Sequence, residues 1–123
     1  MGSTVAQWDS SVNHINRPLN EGVPACKAFG ISWQPTSNNS VSLTLLRGQL
    51  GNNVVVEDLA THIPNSGVFF WTPSATLEAD VALYLIQIND DVINQYSYSA
   101  QFGISKGPEC NGMSTFPASA SAT

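Results

Sequence analysis

Charged residues are unusually scarce in this sequence. They make up 11% of the 123 residues, whereas an ordinary soluble domain has about 25%, and Asn, Ser and Thr supply the polarity instead. The net charge is −5, and the Lys and Arg residues number only four and stand singly along the chain. Because no cluster of cations is available to bind phosphates, nucleic acids and anionic membranes are excluded as partners.

Long apolar runs and cysteines are also scarce. The longest strongly apolar run, Val81–Ile88, is interrupted by Gln87 and is far shorter than the about 20 residues of a membrane-spanning helix. The two cysteines, Cys26 and Cys110, are too few for a tetrahedral zinc site and are not spaced as a redox pair. They predict one disulfide, with two buried free thiols as the alternative.

The sequence contains no catalytic constellation that we recognise. His14 and His62 are the only imidazoles, and neither has a companion at metal-ligand spacing, so both are interpreted as surface or turn residues. Three acidic clusters could in principle form a glycosidase pair, but they fall at predicted loop or strand ends, where solvated charge is usual. These clusters are Glu57-Asp58, Glu78 with Asp80, and Asp90-Asp91. We therefore expect no catalytic residues, no metal and no cofactor.

Short segments of alternating apolar residues, each bounded by Gly, Pro, Asn or Ser, are typical of β-strands. The segments are Ala28–Trp33, Val41–Leu46, Val54–Val56, Gly67–Thr72, Ala82–Ile88 and Tyr96–Ser105. With an edge strand somewhere in Ile15–Val23, they predict an all-β fold, an antiparallel immunoglobulin- or fibronectin-III-like β-sandwich of about seven strands. The residues expected in its core are Phe29, Ile31, Trp33, Leu43, Leu45, Leu83, Leu85 and Phe102.

The two ends of the chain differ from this patterned region, which is assigned to residues 15–113. Residues 1–14 are interpreted as a lead-in that starts with a vector-derived remnant. Within it, an apolar spacing of i, i+3, i+7 and i+10 favours a short N-terminal helix over an extended segment. The residues in that spacing are Val5, Trp8, Val12 and Ile15. Residues 114–123, which are small and hydroxylated, predict a flexible tail or the start of a glycosylated Ser/Thr stalk.

Several segments in order carry the resemblance to a known family. They are FGISWQPT at 29–36, VSLTLLRG at 41–48, IPNSGVFFWTP at 63–73, ALYLIQI at 82–88 and YSAQFGI at 98–104. The region from about Ile15 to Ser105 resembles the fungal domain of the Kre9/Knh1-like cell-wall synthesis proteins, also called the Ser/Thr-rich GPI-anchored membrane protein family. The resemblance implies a secreted, extracellular protein of the fungal cell wall. Because family members continue into a Ser/Thr-rich region and a GPI signal, the chain is either cut from a longer protein or a short secreted member.

The motifs of this resemblance identify a fold rather than an activity, so the expected function depends on aromatic residues that are not needed for the core. Sugars bind to aromatic faces and to amide and carboxylate groups, and an exposed ring would be a candidate site. The candidate binding residues are Phe69, Trp71, Tyr84, Tyr96 and Tyr98. The alternative is that all these rings are packed inside or under loops.

We expect a non-enzymatic, secreted fungal domain that contacts β-glucan or another wall polysaccharide. The second hypothesis is a protein–protein interaction module that docks a wall, host or receptor protein and binds no sugar. A hydrolase is the third. One local prediction is independent of these: Asn38-Asn39-Ser40 is the chain's only N-glycosylation acceptor sequence, although the same residues also suit an unmodified turn.

Overall fold

The computed structural model describes residues 7–8, 11–49, 52–106 and 110, and its ten elements are all β-strands. The first five are β1 (Gln7–Trp8), β2 (Ile15–Arg17), β3 (Gly22–Pro24), β4 (Phe29–Trp33) and β5 (Val41–Gln49). The others are β6 (Asn52–Ile63), β7 (Val68–Trp71), β8 (Asp80–Asp90), β9 (Gln95–Tyr98) and β10 (Phe102–Ser105). In this part of the chain no helix is long and apolar enough to cross a bilayer.

The strands form a seven-stranded and a three-stranded sheet. The small sheet has the order β2-β4-β7 and is antiparallel. In the large sheet, β8 is central. One of its edges pairs with β5, and β5 pairs in turn with β6. The other edge of β8 pairs with β10 along its first half and with β9 along its second half. Two short strands add parallel edges, β3 beside β10 and β1 beside β9. This is the expected immunoglobulin-like sandwich, with ten strands instead of about seven, and β5, β6 and β8 are longer than the segments that the sequence indicated.

The core lies between the two sheets and follows the alternation of the strands. Ile31 and Trp33 from the small sheet meet the inward row of the large sheet, and each is at most 3% exposed. The buried residues of that row and its neighbours are Val41, Leu43, Leu45, Tyr84, Ile86, Ile88, Phe102 and Ile104. Alternate residues of a strand point to opposite faces, so the residues between these are directed away from the core.

A polar network fixes the turn of the IPNSG motif against the small sheet. The indole Nε1 of Trp33 donates to Asn65 Oδ1 at 2.6 Å, and Asn65 Nδ2 donates to Asn13 Oδ1 at 3.0 Å. Gly67 closes the turn at φ 92°, a region that favours glycine, and its carbonyl accepts from Trp33 N at 2.9 Å. The motif therefore connects the turn to the buried Trp33 through two hydrogen bonds, one from the indole and one from the backbone N–H.

The predicted disulfide is confirmed. Cys26 and Cys110 are bonded, with their Cα atoms 5.1 Å apart, across 84 residues of sequence. Cys26 follows β3, and its N–H donates to the carbonyl of Pro73 at 2.8 Å. The bridge therefore ties the segment after the last strand to the connection between β3 and β4, as expected for neighbouring ends of one sandwich.

Three details of the expected fold are corrected. The N-terminal helix is not observed, since residues 7–8 and 15–17 are strands, and the rest of residues 1–10 lies outside the described residues. Leu83 is 37% exposed rather than buried, because Tyr84 and not Leu83 occupies the inward position of β8. The expected strand Tyr96–Ser105 is divided into β9 and β10, which pair with different halves of β8. Residues 114–123 lie outside the described residues.

Candidate binding face

The outward side of the large sheet carries two rows of side chains, one across four strands and one across three. One row runs through Tyr98, Gln87, Thr44 and Asp58, which are direct cross-strand partners on β9, β8, β5 and β6. The adjacent row runs through Tyr96, Asn89 and Ser42. We call the surface formed by Ser42, Thr44, Gln87, Asn89, Tyr96 and Tyr98 the outer face. Its six side chains are all partly exposed.

The register shows why these residues lie outside. Ser97, between the two tyrosines, is 1% exposed, and its hydroxyl donates to the carbonyl of Val12 at 2.8 Å, so it points inward. Ile88, opposite Ser97, is a core residue. Tyr96 and Tyr98 therefore point outward with Asn89 and Gln87, their partners on β8. Strand neighbours lie about 4.8 Å apart, so the longer row extends over about 14 Å and the shorter over about 10 Å.

Tyr96 and Tyr98 form an edge-to-face pair at one end of the two rows. Their ring centroids are 5.6 Å apart and their planes are inclined by 80°. Partial burial raises the pKa of the Tyr98 hydroxyl above its ordinary value, and the adjacent Tyr96 raises it further, against a smaller lowering by a hydrogen bond with Gln87. The Tyr98 hydroxyl is thus hydrogen-bonded to the Gln87 amide, so an apolar ring and a polar amide lie side by side on this surface.

Asp90 anchors the loop between β4 and β5, residues 34–40, at one end of the sandwich. It is fully buried, accepting hydrogen bonds from the Ser37 hydroxyl at 2.6 Å and the Asn39 amide at 3.1 Å. It also accepts from the backbone N–H groups of Val92 and Ile93. Burial raises the pKa of Asp90, but these hydrogen bonds outweigh burial and the pKa lies below its ordinary value. Asp90 is therefore a structural carboxylate whose acceptor sites are used within the protein.

Asp91 holds a histidine beside the outer face. Its carboxylate accepts from the hydroxyls of Ser40 at 2.9 Å and Ser42 at 2.8 Å, and it lies 3.0 Å from His62 Nδ1. Burial raises the pKa of Asp91, whereas these three contacts lower it to a net value below the ordinary one. His62 lies in β6 with a positive φ of 53°. Its side chain is 75% exposed, so His62 is the surface residue that the sequence predicted.

The five candidate aromatics fall into two groups. Tyr84 and Trp71 are 1% and 5% exposed and belong to the core, where both contact Phe102, so neither ring is available to a sugar. Phe69 is partly buried against the same core. Tyr96 and Tyr98 are the two that the sheet brings together at the surface.

Phe70, which was not among the candidates from the sequence, is the most exposed aromatic side chain of the described residues. Phe70 on β7 is 70% exposed, and its ring lies over Gly30. The alternation places Phe69 and Trp71 on one side of β7 and Val68 and Phe70 on the other. It does not indicate which of the two sides is covered by the second sheet. Phe70 shares the exposed side of β7 with Val68, which is 43% exposed.

The acidic clusters do not converge on one another. Glu78 is paired with Arg47, and Glu57 and Asp58 are exposed residues of β6, the Asp58 carboxylate accepting weakly from Thr44 at 3.4 Å. Among the described residues, no group of three or more His, Cys, Asp or Glu side chains is arranged to hold a metal ion.

The comparisons with known proteins agree with this architecture. A family model described as the Kre9/KNH-like N-terminal Ig-like domain matches residues 18–104, a range that includes β3 to β9 and most of β10. A search of curated proteins finds no match. The chain therefore belongs to the Kre9/KNH family, as a cell-wall-related, immunoglobulin-like domain.

Proposed function

We propose that this domain is a secreted, non-enzymatic component of the fungal cell wall that binds a wall polysaccharide on the outer face. Among the wall polysaccharides, β-glucan is the ligand we propose. The observation that carries the proposal is the pair of cross-strand rows in which Tyr96 and Tyr98 stand next to Asn89 and Gln87. Family membership supports the place of action, and the disulfide supports an oxidising, extracellular compartment.

The chemistry of the outer face suits a neutral, hydroxyl-rich ligand. Tyrosine rings offer apolar surface to the C–H side of a sugar, while the amides of Gln87 and Asn89 both donate and accept hydrogen bonds. Ser42 and Thr44 extend these rows with hydroxyls. The rows are long enough for a few sugar units of an extended chain, which indicates a polymer rather than a monosaccharide.

The proposal is tested by retention on insoluble β-glucan, with chitin and mannan as comparison polymers. Tyr96→Ala and Tyr98→Ala should each weaken binding by about 1–2 kcal/mol, the cost of losing a central aromatic contact. This corresponds to roughly a 5- to 30-fold loss of affinity. Tyr98→Phe should lose less, because it keeps the ring and removes only the hydroxyl.

Phe70→Ala is the matched control, because it removes a more exposed aromatic ring from the opposite sheet. It should bind β-glucan as the unaltered protein does. No retention on any wall polymer, or equal losses for the Phe70 and Tyr98 variants, would contradict the assignment of the outer face as a sugar site.

The second candidate function is docking of a protein partner without a sugar ligand. One observation favours it: Val54 and Val55 on β6 are 67% and 64% exposed, an apolar stretch on an edge strand, which is a common place for another chain to add a strand. Retention of a partner protein by the domain, lost on Val55→Lys and kept on Tyr98→Ala, would favour this function over polysaccharide binding.

The absence of catalysis is also part of the proposal. Its support is that the described carboxylates already have structural roles, as with buried Asp90, or stand apart on different elements, as Glu78 and Asp58 do. Incubation with β-glucan should release no reducing sugar. Release that is abolished by Asp91→Asn or Glu57→Gln would identify a hydrolase instead.

We propose further that Asn38 carries an N-linked glycan when the protein passes through a eukaryotic secretory pathway. Asn38 is exposed, whereas its neighbours Ser37 and Asn39 are bound to Asp90, so a glycan would project from an anchored loop. Mass spectrometry should find the glycan on the unaltered chain and on Asn39→Gln, which keeps the acceptor sequence, and not on Asn38→Gln. An unmodified peptide in protein made by that route would overturn it.

A further inference from the structure

The shorter row of the outer face continues onto β6, where it reaches His62. The pairing of β5 with β6 shifts beside Ser42, and there the backbone N–H of His62 donates to the Ser42 hydroxyl oxygen at 3.1 Å. The row of Tyr96, Asn89 and Ser42 therefore extends to a fourth strand, over about 14 Å. A tyrosine ring lies at one end of this row and an imidazole at the other.

Asp91 keeps the imidazole of His62 on the outward side of the sheet. Ser42 points outward, because its neighbours Val41 and Leu43 are fully buried and alternate residues of a strand point to opposite faces. The Ser42 hydroxyl donates to Asp91 Oδ1 at 2.8 Å, and His62 Nδ1 lies 3.0 Å from Asp91 Oδ2. The ring of His62 is therefore on the same side as the outer face.

The contact with Asp91 also determines which ring nitrogen of His62 is available to a ligand. The pKa of Asp91 lies below its ordinary value, so the carboxylate is ionised near neutral pH and can only accept hydrogen bonds. Nδ1 of a neutral His62 must then carry the proton, which leaves Nε2 as an acceptor. The side chain is 75% exposed but is held in one orientation, and a group that is ordered in advance loses less entropy on binding.

We propose that His62 is a further sugar-binding residue, and that the polysaccharide lies across the strands from the tyrosine pair to His62 Nε2. The inference rests on the polysaccharide binding proposed above and adds the direction of the ligand and a contact at its far end. Nε2 accepts a hydrogen bond from a sugar hydroxyl, and Asp91 is a positioning residue that acts through the imidazole. Because β9 and β6 are separated by β8 and β5, a ligand that ran along the strands would contact the tyrosines or His62 but not both.

Calorimetric titration with soluble β-gluco-oligosaccharides of increasing length tests the proposal. His62→Asn is the main variant, because asparagine tolerates the positive φ of this position but its side chain is shorter. It should bind oligosaccharides that span the row about three- to tenfold more weakly, the loss expected for one hydrogen bond, and should lose nothing with those too short to span it. His62→Gln, whose amide reaches nearly as far, should keep most of the affinity.

His14→Asn is the matched control. His14 is the chain's other histidine and is also exposed, but it directly precedes β2 of the small sheet, so this variant should bind as the unaltered protein does. Thermal unfolding checks that each variant is folded.

A second measurement tests the role of Asp91 without any sugar. Nitrogen NMR chemical shifts of the His62 ring at about pH 8.5, where histidine is neutral, should show the proton on Nδ1 in the unaltered protein and on both nitrogens in exchange in Asp91→Ala. Asp91→Ala should also weaken binding of long oligosaccharides. The double variant with His62→Asn should lose no more affinity than His62→Asn alone, because both changes remove the same contact.

The outcomes separate this inference from the proposed function. Unchanged binding by His62→Asn, together with weaker binding by Tyr98→Ala, would overturn the inference and leave the outer face as a sugar site. Equal losses for the His62 and His14 variants, or a ring proton on Nε2, would also overturn it. An unaltered protein that binds no oligosaccharide would contradict the proposed function, and this inference with it.

Discussion

Replacing Asp90 should destabilise the fold more than replacing any exposed carboxylate. Asp90→Ala removes the acceptor for Ser37 and Asn39, two partly buried donors, and each unsatisfied donor costs about 1–3 kcal/mol. Water can replace it at the backbone N–H groups of Val92 and Ile93, which are exposed residues. We therefore expect a loss of about 2–4 kcal/mol in the free energy of unfolding.

Asp90→Asn should cost less, about 1–2 kcal/mol, because the amide oxygen still accepts from the turn while its NH₂ group meets the Asn39 amide, another donor. Urea denaturation, followed by tryptophan fluorescence, measures both variants. Asp58→Ala is the control, since its carboxylate is exposed and accepts only one long hydrogen bond, from Thr44; it should stay within about 0.5 kcal/mol of the unaltered protein.

The pH dependence gives a second test of the same carboxylate. The pKa of Asp90 in the folded protein is lower than its unfolded value of about 3.9, so its ionised form contributes stability above pH 4. That contribution is lost as the pH falls through the lowered folded-state pKa. Asp90→Asn should therefore lose less stability on acidification than the unaltered protein. An Asp90→Ala variant as stable as Asp58→Ala, or with the same acid dependence as the unaltered protein, would refute this account of the loop.

Three further stability predictions follow from the fold. Removing the disulfide with Cys26→Ser and Cys110→Ser should lower the free energy of unfolding by about 4–5 kcal/mol, given its 84-residue separation; an unchanged urea midpoint would contradict this. Gly67→Ala should cost about 1–3 kcal/mol, because φ is 92° and a Cβ would lie 3.2 Å from the Trp33 carbonyl oxygen, and thermal unfolding should show a lowered midpoint. Trp33→Phe should cost about 2 kcal/mol or more, since it creates space and leaves Asn65 Oδ1 without its indole donor; a urea midpoint equal to that of the unaltered protein would show that this tie carries no stability.

The candidate site was only partly predictable, and β7 shows why. The sequence places Phe69 and Trp71 on one side of this strand and Val68 and Phe70 on the other, because alternation is a local property of the backbone. Which side is covered depends on the second sheet, and the fold buries Trp71 while leaving Phe70 exposed. The same reason separates Tyr84, in the core, from Tyr96 and Tyr98, on the outer face.

The sequence by itself determined the strand-rich fold, the disulfide and the family, because alternation, turn residues and a single cysteine pair are legible without knowing which strands are neighbours. Tertiary structure alone decided what lies side by side. Tyr98 reaches Gln87, and Ser37 reaches Asp90, only after β8 takes its place in the sheet. The valines of β6 would be equally compatible with an interior strand. They are exposed because β6 lies at an edge of the large sheet, where β5 is its one partner among the described strands. Pairing between strands distant in sequence sets these contacts, and no local pattern encodes it.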